Sequence, residues 1–355
     1  MTADAENAAA TDEAQRAALA EAAAAGIHPI AVPTPFLVGR VNCYLIEDDP
    51  LTLVDTGPNS GKSLDELAAG LSELGHSMDE LGLIVLTHQH MDHLGLVEIL
   101  QRRSGAEVAA LDLLGPYLEH FSDSARADDA FASRVMLRHG VPPEVVTVLG
   151  SVGAAFRSFG SPANVNHPLR DGDELVLRDR TFIVAHRPGH SPSDVVLHDR
   201  RAELLIGGDH LLSRISSNPL LSRPLDRALD EAGDGGVDRP HALLDYIASM
   251  RATREMPVAV TLGGHGPPVL EHVALIDERL RTHDRRARRV LGMLGAGPAT
   301  AYELASQMWG NVAVTQAYLT LSEILGHLDL LVSDGRAIED ASGPVTRFAA
   351  APTDP

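Results

Sequence analysis

A layered α/β fold is predicted by three features of the sequence. Short strand-like runs at 27–32, 41–46 and 51–54 follow one another in hairpin order; strands and helices then alternate; and a second group of strand-like runs returns at 174–177, 181–185, 194–197 and 204–206. A chain patterned this way can cover the faces of its sheets with helices and bury one face of each. With 355 residues, 44% hydrophobic and 22% charged, it has enough apolar material for one large domain, or one with a small companion.

The elements follow in order. Residues 1–26 are alanine-rich and lack the basic start and continuous apolar core of a secretory signal, so they read as an appended helix, capped at Thr11-Asp12-Glu13 and ended by Gly26. The run at 51–54 delivers Asp55-Thr56-Gly57 into a turn, a helix is expected at 63–74, and the apolar run Leu83 to Leu86 reads as a buried strand. Between 104 and 170 a strand at 106–111 precedes helical patterning at 111–121, 125–139 and 143–156, broken by Gly and Pro. That inserted region is suited to roofing a pocket, with His120 and His139 read as surface or packing positions. A further strand is expected at 258–262. The tail reads as a long helix at 273–294, helices at 300–309 and 314–325, and a hairpin of 327–331 with 345–348 around a turn at 333–336.

Composition excludes some roles. Lys+Arg 29 against Asp+Glu 49 gives a formal charge of -20, which repels phosphate backbones and argues against a nucleic-acid partner. No apolar run approaches a membrane span. The single cysteine, Cys43, cannot form an internal disulfide and lies in an apolar run, which fits a buried thiol in a reducing compartment and makes the cytoplasm the expected location. Assembly into a homo-oligomer stays open.

The chemistry concentrates at Thr87-His88-Gln89-His90-Met91-Asp92-His93, directly after the buried strand. His88 and His90, two apart in extended chain, point to one side and can clasp an ion, while Asp92 and His93, where the chain turns into a helix, face a neighbouring position. Imidazole with carboxylate suits Zn²⁺, with iron or manganese less favoured. Three later strand ends each present one more ligand type: His190 in RPGHS, Asp209 in GGDHL and His265 in GGHGPP. If the strands alternate, His186 and His210 point away from these, and His198, in a turn-like HDRR, reads as exposed.

Asp55 in LVDTG, the THQHMDH run, His190, Asp209 and His265 stand in the order found in metallo-β-lactamase-fold hydrolases, and the chain resembles their glyoxalase II-like branch over roughly residues 28 to 275. The resemblance implies an αββα sandwich of two mixed sheets with two metals at one edge. It implies that His88, His90 and His190 hold the first metal, that Asp92, His93 and His265 hold the second, and that Asp209 bridges them. Two Zn²⁺ ions held so would lower the pKa of a shared water and polarise the carbonyl it attacks, which makes a thioester or another activated acyl compound the expected substrate. Asp92 is then also a candidate catalytic group, taking or relaying a proton. Asp55 is read as orienting a ligand imidazole, although turn chemistry alone also accounts for an aspartate there.

Substrate contacts are expected from the loop after Asp209, at Asn218, Arg223 and Tyr246, for each of which capping or packing serves equally well. The tail resembles the small winged-helix-like domain of one branch, dividing the chain into 1–26, 27–275 and 276–355. That branch includes an endoribonuclease type, a lactonase or β-lactamase-like hydrolase is a further alternative, and a single-iron persulfide dioxygenase shares the ligand types. Residues 281–355, however, carry seven Arg against eight Asp+Glu, which is no basic footprint.

Overall fold

The computed structural model describes residues 2–226 and 239–352; the Gly- and Asp-rich stretch that follows Arg223-Pro224 in the sequence lies largely outside them. The chain runs α1 (Thr2–Ala24), β1 (Ile27–Val32), β2 (Val41–Ile46), β3 (Thr52–Val54), α2 (Gly61–Glu73), β4 (Leu83–Val85), α3 (Met91–Leu94), α4 (Val97–Ser104) and β5 (Glu107–Leu111). It continues α5 (Leu114–Glu119), α6 (Phe121–Arg138), α7 (Pro143–Phe156), β6 (His167–Leu169), β7 (Glu174–Val176), β8 (Thr181–His186), β9 (Val195–Asp199) and β10 (Leu204–Gly208). After the loop come α8 (Ala242–Arg254), β11 (Val260–Gly263), α9 (His272–Leu294), α10 (Ala301–Trp309), α11 (Val312–Thr315), α12 (Ala317–Ser333), β12 (Ala337–Asp340) and β13 (Arg347–Ala350).

Two mixed sheets carry the architecture. The first has the order β1-β2-β3-β4-β5-β6 and the second β11-β10-β9-β8-β7. In the first, β1 to β3 pair antiparallel and β3 to β6 parallel; in the second only β10 and β11 are parallel. Their inner faces share one core, in which Ile27, Ile46, Val54 and Val85 of the first sheet meet Phe182, Val184, Leu197 and Ile206 of the second. The outer face of the first sheet buries Cys43, Leu45, Leu53 and Ile84 against Leu67 and Leu71 of α2 and against α4 and α5. Ser60 starts α2 by accepting the Ser63 amide at 3.1 Å, and Leu67 and Leu71 then fall one turn apart on its buried face. Burial pushes the Cys43 thiol well above its ordinary pKa, so it packs as a small apolar side chain.

The expected class is therefore observed: an α/β sandwich with helices outside two mixed sheets. Three local expectations differ. Helix α1 starts at Thr2, ahead of the Thr11-Asp12-Glu13 cap, because the alanine-rich residues before it continue a helix as readily as those after it. Residues 327–331, read as a strand, belong to α12: Leu321, Ile324, Leu325, Leu328 and Leu331 recur at three- and four-residue spacing and are all buried, which is a helical stripe. The hairpin exists, but its first strand is β12, paired with β13 from Ala337↔Ala350 to Asp340↔Arg347. His198, read as exposed, is 3% exposed, because β9 lies between β8 and β10, and its Nε2 meets the Pro257 carbonyl at 3.0 Å.

Helices α6 and α7 do not stand apart from the tail. Phe131, Val135 and Val146 share a core with Val290 and Leu294 of α9, with α10 and α12, and with Phe348 of β13. No helix among the described residues is long and apolar enough to cross a membrane.

Candidate metal centre

Parallel pairing of β3 and β4 aligns Val54 with Val85, so Asp55 and Thr87, which follow the two strands, meet. Asp55 adopts a left-handed backbone conformation, φ 59°, which costs a non-glycine residue roughly 1 kcal/mol. Three hydrogen bonds hold it there: its Oδ1 accepts the Thr87 amide at 2.8 Å, and its Oδ2 accepts the Thr87 hydroxyl at 2.8 Å and His93 Nδ1–H at 2.7 Å. With its proton committed to Asp55, the Thr87 Oγ1 accepts from His88 Nδ1 at 2.9 Å. One carboxylate thus turns two imidazoles so that each presents its Nε2 lone pair inward.

Two more rings are set by main-chain carbonyls. His190 Nδ1 donates to Asn218 O at 3.1 Å and His265 Nδ1 donates to Arg40 O at 2.7 Å. The result is a first donor trio in which His90 Nδ1 lies 3.1 Å from His88 Nε2 and 2.9 Å from His190 Nε2. A second trio comprises Asp92, His93 and His265, with His265 Nε2 3.4 Å from Asp92 Oδ2. Asp209 stands between them: its Oδ1 is 3.4 Å from His93 Nε2, and its Oδ2 is 3.6 Å from His190 Nε2 and 3.4 Å from His265 Nε2. Backbone shape permits this approach, since a Cβ on Gly264 would lie 2.3 Å from Asp209 Oδ1 and 2.6 Å from His93 Cε1.

This donor set fits divalent metal. His93 Nε2, His265 Nε2 and Asp209 Oδ1 are buried and lack any hydrogen-bond partner, yet all face one small volume. A single proton on His90 Nδ1 can serve only one of its two close contacts, whereas a cation serves all three nitrogens. Burial, with His93 and His90 as neighbours, holds His88 well below its ordinary pKa, and burial with His190 brings His90 to about 3, so both are neutral ligands at neutral pH. Burial alone would raise Asp92 and Asp209, but His93 and His265 outweigh it and keep both carboxylates ionised. Burial likewise opposes charge on His93 and His265, but Asp209, with Asp55 or Asp92, raises the first well above its usual value and the second to about 9. A metal would displace those two protons.

All seven ligand-type residues expected from the sequence, together with Asp55, come together. The three expected substrate contacts do not join them as such. Tyr246 is 1% exposed, donates its hydroxyl to His210 O at 2.8 Å, and abuts Gly189, whose absent Cβ would lie 2.3 Å from Tyr246 Cβ; it is a packing residue. Arg223 is buried and bonds through Nε to Asp128 at 3.1 Å, tying the loop to α6. Asn218 contributes its carbonyl to His190, while its amide side chain reaches Leu319 O at 3.4 Å. Thr87 opens the histidine run but has no ligand pattern of its own to mark its role; the carbonyls of Arg40 and Asn218 carry no residue signal at all. His186 and His210 turn away as expected, to Pro192 O and Thr253 Oγ1. A cavity of about 380 Å³ adjoins the His190 loop at Pro188, Gly189 and Ser191, but none of the seven donors lines it.

Similarity to known proteins covers the same ground. The sequence profile of the Metallo-beta-lactamase superfamily matches residues 37–265, which include all seven donors. The chain is 32% identical over 305 residues to the probable metallo-hydrolase YqjP of Bacillus subtilis, spanning 86% of this chain and 92% of that one. Over 176 residues it is 34% identical to acyl-coenzyme A thioesterase MBLAC2 of Gallus gallus, spanning 48% of this chain and 57% of the relative. The crystal structure of the metallo-beta-lactamase family protein TTHA1429 from Thermus thermophilus aligns with a TM-score of 0.74 at 26% identity, covering 92% of this chain and 98% of that one. A beta-lactamase domain protein from Burkholderia ambifaria gives 0.74 at 25% identity, covering 92% of each. Sheet topology, the order of the donors and the extent of the profile match agree, and the chain belongs to the metallo-β-lactamase superfamily of metal-dependent hydrolases.

Proposed function

We propose that this protein is a dinuclear zinc hydrolase that cleaves a thioester or a similarly activated acyl bond. The observation that carries the reading is Asp209, whose two oxygens each face imidazole nitrogens of the donor trios on either side of it. His88, His90 and His190 would hold one ion, Asp92, His93 and His265 the other, and Asp209 both. When bound, a zinc pair supplies an activated water nucleophile and a Lewis acid for the substrate carbonyl.

The chain's own groups supply orientation and proton transfer. Asp55 and Thr87 fix His93 and His88, and the carbonyls of Asn218 and Arg40 fix His190 and His265. Asp92, ionised and with Oδ2 3.4 Å from His265 Nε2, takes the proton released as water adds to the carbonyl and returns it to the departing thiolate. The thioester preference draws support from the thioesterase relative, of which the chain spans 57%. A small-molecule substrate is favoured over RNA, because Arg286 and Arg288 of α9 pair with Glu323 and Asp284 and leave less free positive charge on that helix. We read 276–355 as a winged-helix-like unit on the strength of α10 to α12 and the β12–β13 hairpin. The single, buried Cys43 favours the cytoplasm.

The test is turnover by zinc-loaded protein across acyl-CoA thioesters, glutathione thioesters, lactones and one structured RNA, with Asp209→Ala as control. Thioester or lactone hydrolysis that disappears in the control is expected. RNA cleavage with silence on every ester would overturn the reading.

A further inference from the structure

Away from Asp209, another cluster of ligating side chains forms where the tail packs on the sandwich. His283 of α9 faces His327 and Glu323 of α12, the latter two one turn apart on one helix face. His283 Nδ1 lies 3.3 Å from His327 Nε2, the rings tilted 30° with centroids 5.4 Å apart. Donor atoms of the three residues all lie within 4.8 Å of one another. His327 donates its Nδ1 proton to the Glu323 main-chain oxygen at 2.6 Å, which leaves the Nε2 lone pair aimed at His283. His283 and His327 are 2% and 1% exposed, and His283 Nε2 has no hydrogen-bond partner.

Two buried imidazoles whose His283 Nδ1 and His327 Nε2 face each other at 3.3 Å, with the Glu323 carboxylate close by, are a poor apolar contact and a good half-built ligand set. Both rings are neutral at neutral pH, because burial brings His283 to about 3 and lowers His327, which is the form that binds metal. Two imidazoles and a carboxylate match the ligand types and number of a zinc site with one open position.

We infer that His283, His327 and Glu323 form a second, separate site for a divalent cation of zinc type, pinning α9 to α12. Binding requires His283 to move its proton from Nδ1 to Nε2, whose ring then stands edge-on to Tyr246, centroids 6.2 Å apart at 85°. The site shares no donor with the centre at Asp209. Arg286 bonds the Glu323 carboxylate and competes with the cation for it. Its side chain is 39% exposed, so it can swing into water as the ion enters. The ligand and its neighbour therefore act with opposite sign: Glu323→Gln weakens binding and Arg286→Gln strengthens it.

The experiment uses the full chain loaded with zinc and dialysed, with zinc per chain counted by atomic emission. His283→Gln/His327→Gln should hold one ion fewer than the parent, whatever the activity of either. Competition against a zinc-binding dye should show the affinity of that ion falling roughly tenfold in Glu323→Gln and rising in Arg286→Gln. Equal zinc in parent and double variant would overturn the site. If the double variant does not fold, the two single variants decide, and unchanged affinity in both overturns it equally. Loss of thioester turnover has no part in this reading, so its failure and that of the proposed activity are told apart.

Discussion

The carboxylate of Asp55 meets His93 Nδ1 at 2.7 Å and the Thr87 hydroxyl at 2.8 Å, and through that hydroxyl it also governs His88. One residue outside the ligand set thereby fixes the tautomer of an imidazole in each donor trio. Asp55→Asn replaces one acceptor with an amide donor and should weaken zinc binding by roughly 10- to 100-fold. Thr87→Val, which keeps the direct contact to His93, should cost less. Dye competition on the two variants checks the ranking, and equal affinities in all three proteins would contradict it.

Removal of metal should make stability pH-dependent in a stated direction. Without an ion, burial opposes charge on His265 but Asp209 and Asp92 outweigh it, raising its pKa from 6.5 to about 9. The stabilisation from the folded-state proton is fully present below pH 6.5 and is lost as pH rises through about 9, a change of roughly 3 kcal/mol. Melting in chelator should therefore fall in temperature between those pH values, while His265→Gln flattens the profile. A chelated parent that grows more stable over that range would contradict the ion-pairing of His265.

Gly264 leaves room for Asp209. An alanine Cβ there would stand 2.3 Å from Asp209 Oδ1, and the carboxylate must move. Gly264→Ala should lower turnover by about 100-fold or more, as displacements near 1 Å do, while far-UV circular dichroism stays that of the parent. Parent-like turnover would show that Asp209 does not need its present position.

Arg223 separates packing from binding. Its buried guanidinium pairs with Asp128, whose side chain is 33% exposed and also accepts the Tyr117 hydroxyl at 3.0 Å, so Arg223→Ala should destabilise by roughly 1–2 kcal/mol through the lost pair and packing. KM on the best substrate should not change. A raised KM at unchanged stability would instead make Arg223 a substrate contact.

The donor residues were legible because each sits at a strand end within a few residues of a glycine or a turn, so local sequence places it. Their supports were not. The Asp55–Thr87 contact follows from the parallel register Val54↔Val85, and the acceptors for His190 and His265 are main-chain atoms of Asn218 and Arg40. The stretch His327-Leu328-Asp329-Leu330 alternates over four residues like a strand, and only the full run from Ala317 to Ser333 shows the helical period. Asp329 is buried there in a pair with Arg239, a partner 90 residues away. Likewise nothing local shows that His198 lies on a strand with neighbours on both sides.

The central claim is that Asp209 joins two metal positions into one centre. Its most direct test is the electron paramagnetic resonance of cobalt-substituted protein, with Asp209→Ala alongside. A spin-coupled cobalt pair in the parent, lost in Asp209→Ala, is the predicted result. Only isolated, uncoupled ions in the fully loaded parent would contradict it.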